Sequence, residues 1–153
     1  MLIRKALLFA VLLTAAACGS QGSTASTSPS ANVPSATVAV ADNAKLGQIL
    51  VDGNGRTLYL FEADKGSSST CYGSCATYWP PLLTGAAPQA GPGANAALLG
   101  TTKRTDGPTE VTYSGHPLYY VVTDHNPGDA TGQGVNNYGA VWVVVGPDGN
   151  QIG

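Results

Sequence analysis

Three regimes of hydrophobic patterning follow one another along this chain. Two basic residues, Arg4 and Lys5, precede an unbroken apolar run from Ala6 to Leu13. A stretch almost without apolar bulk then reaches about Ala36, built of Gly, Ser, Thr, Ala, Gln, Asn and Pro. Beyond it, short apolar runs alternate with turn-forming clusters. Lys45 to Val51 and Arg56 to Glu62 flank Asp52-Gly53-Asn54-Gly55, a strong hairpin signal because Asn and Gly tolerate positive φ. Val111 to Tyr113 and Leu118 to Val122 flank Ser114-Gly115-His116-Pro117, and the β-branched run Ala140 to Val145 leads into Gly146-Pro147-Asp148-Gly149. With 20 Gly and 10 Pro and no long stretch of helical period after the first run, the pattern predicts an all-β or mostly β fold. Within the run 56–62, the two-residue period sends Tyr59 and Phe61 to one face and Leu58 and Leu60 to the other. Both faces are apolar, so this strand is expected to be buried on both sides.

The same order of residues occurs twice. Gly55, Leu58, Tyr59 and Asp64 recur as Gly115, Leu118, Tyr119 and Asp124 at a spacing of 60 residues, and Trp79 and Trp142 fall near corresponding places in copies of unequal length. Such a repeat implies two similar supersecondary units that bury their apolar faces against each other. Copy one covers about 45–83 and copy two about 109–149, together forming one compact β domain over 37–153.

The beginning of the chain reads as an address. The charged start, the apolar run and the small residues Ala15-Ala16-Ala17 before Cys18 have the layout of a bacterial secretory signal ending in a lipobox, with Ala15 where Leu is usual. Residues 1–17 are expected to be removed and Cys18 to carry lipid, the alternative being ordinary cleavage that leaves Cys18 a thiol. The apolar run is shorter than the about 20 residues a permanent span needs, so membrane attachment rests on lipid at Cys18. Residues 18–36 then form a flexible tether with an r.m.s. reach of about 20–25 Å. Loss of Arg4 and Lys5 leaves five basic residues against nine acidic ones, a net charge near −4. Lys103-Arg104 is the one basic pair, which argues against nucleic acid as a partner.

The segment Tyr59-Leu60-Phe61-Glu62-Ala63-Asp64 fits a Yx(F/W/Y)xxD motif, and it is followed by Cys71-Tyr72-Gly73-Ser74-Cys75 and Trp79-Pro80-Pro81-Leu82. On these residues the chain resembles the bacterial "secreted repeat of unknown function" lipoproteins over nearly all of its mature length. The second copy departs from the pattern, with Val121 in the aromatic place and no cysteine pair. The resemblance implies an exported lipoprotein with a repeated, β-rich domain and no established activity.

Candidate chemistry is confined to a few residues. Tyr59 and Phe61 are expected to fill the core, with Asp64 accepting backbone amides in a turn. A sharper reading brings Asp64 and Asp124 together at one pole as ligands for a cation. For the cysteines, Thr70 caps a short helical turn that runs to Trp79 and stops at Pro80, placing both sulfurs on one helical face. A regular turn leaves the β-carbons farther apart than a disulfide needs, a distortion that Gly73 eases. In an oxidising envelope the Cys71–Cys75 disulfide is expected, fixing the conformation around Trp79. The competing reading is a redox or Cu(I) site using Cys71 and Cys75, with His116 or His125 as a third ligand. The sole methionine, Met1, is lost with the signal, which excludes thioether-rich copper sites. Nucleophile-elbow, zincin, phosphate-loop and dinucleotide signatures are absent from the sequence. Together these features favour a non-enzymatic, membrane-anchored envelope protein without a cofactor, which binds an envelope protein or ligand or has a structural role. An exposed Trp79-Pro80-Pro81 would mark a binding edge, and a buried Trp79 would mark a structural one.

Overall fold

A computed structural model describes residues 33–153. The signal, Cys18 and most of the tether lie outside the described residues. The domain is built from nine short strands, one short helix and one turn of 3-10 helix, in keeping with the mostly β reading. Strands β1 (Thr37–Asn43) and β2 (Gly47–Asp52) form an antiparallel hairpin, and β4 (Gln89–Ala90) joins β1 in parallel. Strand β3 (Tyr59–Phe61) pairs with β9 (Ala140–Val144), which pairs in turn with β8 (Val135–Asn137). Strands β5 (Leu99–Lys103), β6 (Thr109–Tyr113) and β7 (His116–Pro117) make the third sheet, and helix α1 spans Ser74–Tyr78.

Isolated bridges sew these sheets together. Tyr59 and Tyr119 exchange both backbone hydrogen bonds, each at 2.9 Å, at the point where the two copies meet. From there Tyr120 N donates to Pro80 O and Leu82 N to Leu118 O, each at 2.8 Å, so the Trp79-Pro80-Pro81-Leu82 segment lies along copy two. Leu118 to Val122, expected as a strand, is therefore an irregular segment bonded to both neighbours. The prolines at 80 and 81 have no N–H to give, which prevents a continuous ladder.

Strand β3 is the divider between two cores. Tyr59 and Phe61 pack with Ile49, Val51, Trp79, Tyr119, Trp142 and Val144 on one side, and Leu58 and Leu60 pack with Leu50, Leu82, Val111, Leu118 and Val143 on the other. That is the double burial its two-faced apolar pattern implied. Five strands, β1, β4, β5, β7 and β8, lie beyond the runs singled out in the sequence; of the longer two, β1 has only Val38 fully buried, and β5, Leu-Gly-Thr-Thr-Lys, carries little apolar signal.

The helix around the cysteines begins later than its sequence suggests. Gly73 occupies the N-cap at φ 58°, a backbone position that a side chain would strain. Thr70 is not a cap at all: its N–H and hydroxyl both go to Asp64. Cys71 thus stands in the loop before α1 and not on a helical face. This removes the distance problem of a regular turn, and the Cα atoms of Cys71 and Cys75 are 5.2 Å apart in a closed disulfide.

At Gly132 the backbone runs directly against the aromatic core. A β-carbon there would lie 2.7 Å from Trp79 and 2.9 Å from Tyr59. Gly132→Ala is expected to destabilise the domain by about 1–3 kcal/mol through overpacking, read as a lower denaturation midpoint at unchanged slope.

Candidate functional site

The repeated motif residues converge on one place, and they do so by exchange. Tyr59 of copy one donates its hydroxyl to Asp124 Oδ2 of copy two at 2.6 Å, and Tyr119 of copy two donates to Asp64 Oδ2 of copy one at 2.7 Å. Each aspartate uses its other oxygen to hold its own following loop. Asp64 Oδ1 accepts from Thr70 N at 2.7 Å and Thr70 Oγ1 at 2.8 Å, while Asp124 Oδ1 accepts from Thr131 N at 2.9 Å and Thr131 Oγ1 at 2.7 Å. The turn role expected of Asp64 is present, and the tyrosine bond from the other copy is added to it. The reciprocity arises because the antiparallel bridge between Tyr59 and Tyr119 places each ring beside the loop that leaves the other copy.

Burial raises both tyrosine hydroxyls well above the usual phenol range. The bond to Asp124 adds to this at Tyr59, and the negative field of Glu110 and Asp64 adds to it at Tyr119. Both therefore remain donors at any physiological pH. Burial also raises Asp64, against the lowering effect of its bonds from Tyr119 and Thr70.

The two tryptophans stack across the same axis. Their ring centroids are 4.0 Å apart with planes 3° from parallel, and Phe61 covers the other face of Trp142 at 4.0 Å and 9°. Tyr59 meets Trp79 edge-on at 5.4 Å, and Tyr119 meets Trp142 edge-on at 5.1 Å. Each such pair contributes about 0.5–1.5 kcal/mol beyond its area burial. Asn137 satisfies both indoles: Trp79 Nε1 donates to its side-chain oxygen at 3.0 Å and Trp142 Nε1 to its backbone oxygen at 3.4 Å. Both tryptophans are fully buried. Trp79 lies against the disulfide, its carbonyl 3.9 Å from Cys71 Sγ, so the Trp-Pro-Pro segment is structural.

The cysteine pair is shut away. Cys71 is fully buried and Cys75 is 6 % exposed. Among the described residues no three His, Cys, Asp or Glu side chains gather as a metal site. His116 sits in β7, lining a shallow cleft with Glu62 and Asp64, and is not grouped with the cysteines; His125 is exposed in the loop that Asp129 closes. Nor do Asp64 and Asp124 share a ligand position, since each carboxylate is occupied by the other copy's tyrosine and its own threonine.

One group escaped the sequence reading. Arg104 and Glu110 form a buried ion pair at 2.8 Å against the Tyr119–Asp64 end of the site. The signal lay in the hairpins: Leu58 N donates to Leu50 O in copy one, and Leu118 N to Val111 O in copy two. By that pairing Glu110 occupies the place of Ile49, one step away from the alignment at constant spacing. An extra residue in the first turn hides the substitution.

A family model described as a secreted repeat of unknown function matches the chain twice, at residues 40–83 and 100–146. The two matches cover more than half of the sequence, and the protein belongs to this family. The family places it on the extracytoplasmic side. No curated protein and no solved structure matches the chain. Among the described residues no helix is long and apolar enough to cross a membrane.

Two substitutions test the site. Tyr59→Phe leaves the buried Asp124 oxygen without its donor and is expected to cost about 1–3 kcal/mol, with Asp124→Asn coupling to it in a double-mutant cycle. Replacing both Cys71 and Cys75 by Ser opens a very short loop and is expected to cost about 2 kcal/mol on the chain-entropy model, read from denaturant midpoints.

Proposed function

We propose that this chain is a non-enzymatic envelope lipoprotein, held on the extracytoplasmic side of a membrane by lipid on Cys18 and presenting a rigid β domain to an envelope protein or ligand. The observation that carries the reading is the use made of the motif residues. Tyr59, Tyr119, Asp64, Asp124, Trp79 and Trp142 are engaged with one another across the repeat, and all but Asp64 are buried. Paired donors and acceptors in a packed core rigidify a fold, and rigidity suits a domain that presents a surface.

The closed, buried disulfide supports a structural role for Cys71 and Cys75 over copper handling, because a thiolate ligand requires both bond cleavage and access. Expression of the full chain with Cys18→Ser is expected to move the protein from the membrane fraction to the soluble one and to remove the acyl mass from the intact protein. The reduced wild-type domain, titrated with Cu(I), is expected to retain no metal above background. Stoichiometric copper that is lost with Cys71→Ser would transfer the function to metal handling.

A further inference from the structure

The two ends of the crossed tyrosine arrangement are not equivalent. Around Tyr59 and Asp124 the neighbours are backbone amides, a threonine and Ile49. Around Tyr119 and Asp64 there is a buried charge cluster. Arg104 commits all five of its N–H donors there: two to the carboxylate of Asp106 at 3.1 and 3.2 Å, one to Ser69 Oγ at 2.9 Å, one to Cys71 O at 2.8 Å and one to Glu110 Oε2 at 2.8 Å. Its guanidinium also lies 4.4 Å over the ring of Tyr72, and Thr105 N donates to the Tyr72 hydroxyl. The β5–β6 turn thereby grips the loop that carries the disulfide.

Glu110 is fully buried, and its second oxygen, Oε1, has no partner. Every donor of Arg104 is taken, and the one hydroxyl near the carboxylate, that of Ser69, is shared with Tyr119 at 2.7 Å and does not reach Oε1. The groups that face Glu110 are Arg104 and Asp106 from the β5–β6 turn, Asp64 and Ser69 from the segment after β3, and Tyr119 from copy two. One cation thus serves three carboxylates, of which Glu110 is withdrawn from water and Asp64 is half-buried. An ionised carboxylate with a bare oxygen in such a site is strongly disfavoured, and a proton on it removes the conflict.

We propose that the Arg104–Glu110–Asp64 cluster is a proton-binding switch: protonated, it locks the disulfide loop 69–72 to the third sheet, and loss of the proton loosens that loop. Ionised Glu110 draws water to Oε1 and repels Asp64, whose carboxylate holds both Thr70 and Tyr119. The loop then loses its attachment at Asp64 while Arg104 remains paired with Asp106. Burial, opposed in part by Arg104, raises the Glu110 carboxyl from its ordinary value of 4.5 to about 7, and Asp64 shifts in the same direction. The sign follows. The folded loop holds the proton more tightly than an opened loop in which Glu110 has its ordinary value, so closure is firmest in acid and weakens as pH rises from 4.5 to about 7, levelling above.

The first test follows the Glu110 side-chain carboxyl by NMR in the intact folded domain as pH is varied. A midpoint near 7 is expected, and a midpoint below 5 overturns the proposal. The second compares reduction of the Cys71–Cys75 disulfide by a water-soluble phosphine at pH 6 and pH 8, each rate divided by that of an exposed peptide disulfide. In the wild type the corrected rate is expected to rise about tenfold, the change in loop opening that linkage gives for these two values. Glu110→Gln, which copies the protonated form, is expected to be flat. An unchanged pH dependence in Glu110→Gln overturns the switch, and if that variant fails to fold, the carboxyl titration of the wild type decides alone.

Discussion

Each motif tyrosine spends its hydroxyl on the aspartate of the other copy, and this exchange sets the terms for the rest of the domain. A buried phenol needs an acceptor and each carboxylate oxygen needs a donor, and here the phenol and the second carboxylate oxygen, Oδ2, find theirs only in the other copy. Only when the copies meet at the Tyr59–Tyr119 bridge do both become satisfied. The same approach brings Trp79 onto Trp142 and allows Phe61 to cover the outer face of Trp142. Polar satisfaction and aromatic burial therefore arise in one step. Asp64 and Asp124 then fix the loops that follow them, so the order of the periphery descends from the order at the centre.

Departures from symmetry lie where the chain has added chemistry. Copy one alone carries the cysteines, and its loop 69–72 is held by Arg104 and Thr105 from copy two. The corresponding loop of copy two has Gly132 instead, where the backbone presses against Trp79 and Tyr59 and leaves room for no side chain. One copy has become a tightly packed apolar floor and the other a charged clamp. Ile49 and Glu110, at matching hairpin positions, show the divergence in a single pair of residues.

Much of this was legible in the sequence because it rests on local rules. The two-residue period around Tyr59 showed a strand buried on both faces, and β3 separates two cores accordingly. The hairpin at 52–55 and the β-branched run 140–145 carry their own turn and strand signals. The repeat itself announced that the copies pack together. What remained hidden depended on non-local pairing. Strand β5 is a threonine-rich edge whose stability comes from β6, and Thr70 reads as a helix cap until Asp64 competes for its donors. The crossed direction of the tyrosine bonds has no sequence signature, since a bond within each copy would use the same residues. Glu110 was not singled out in the sequence, because its partner Arg104 lies across a turn and the one-residue shift between hairpins concealed its alignment with Ile49.

The reciprocal exchange also limits how such units can be counted. In a solenoid each repeat passes an open face to the next, so the array can grow by one. Here the tyrosine and the aspartate of each copy are both consumed by the same partner, about a local twofold, and the pair is closed in the sense that an isologous dimer is closed. A third unit added to this chain would find no free hydroxyl and no free carboxylate at the centre, and its own tryptophan would have no ring to stack on. Growth by this arrangement proceeds in twos: the smallest complete object is a couple, and a longer relative built on the same contacts would be a string of couples.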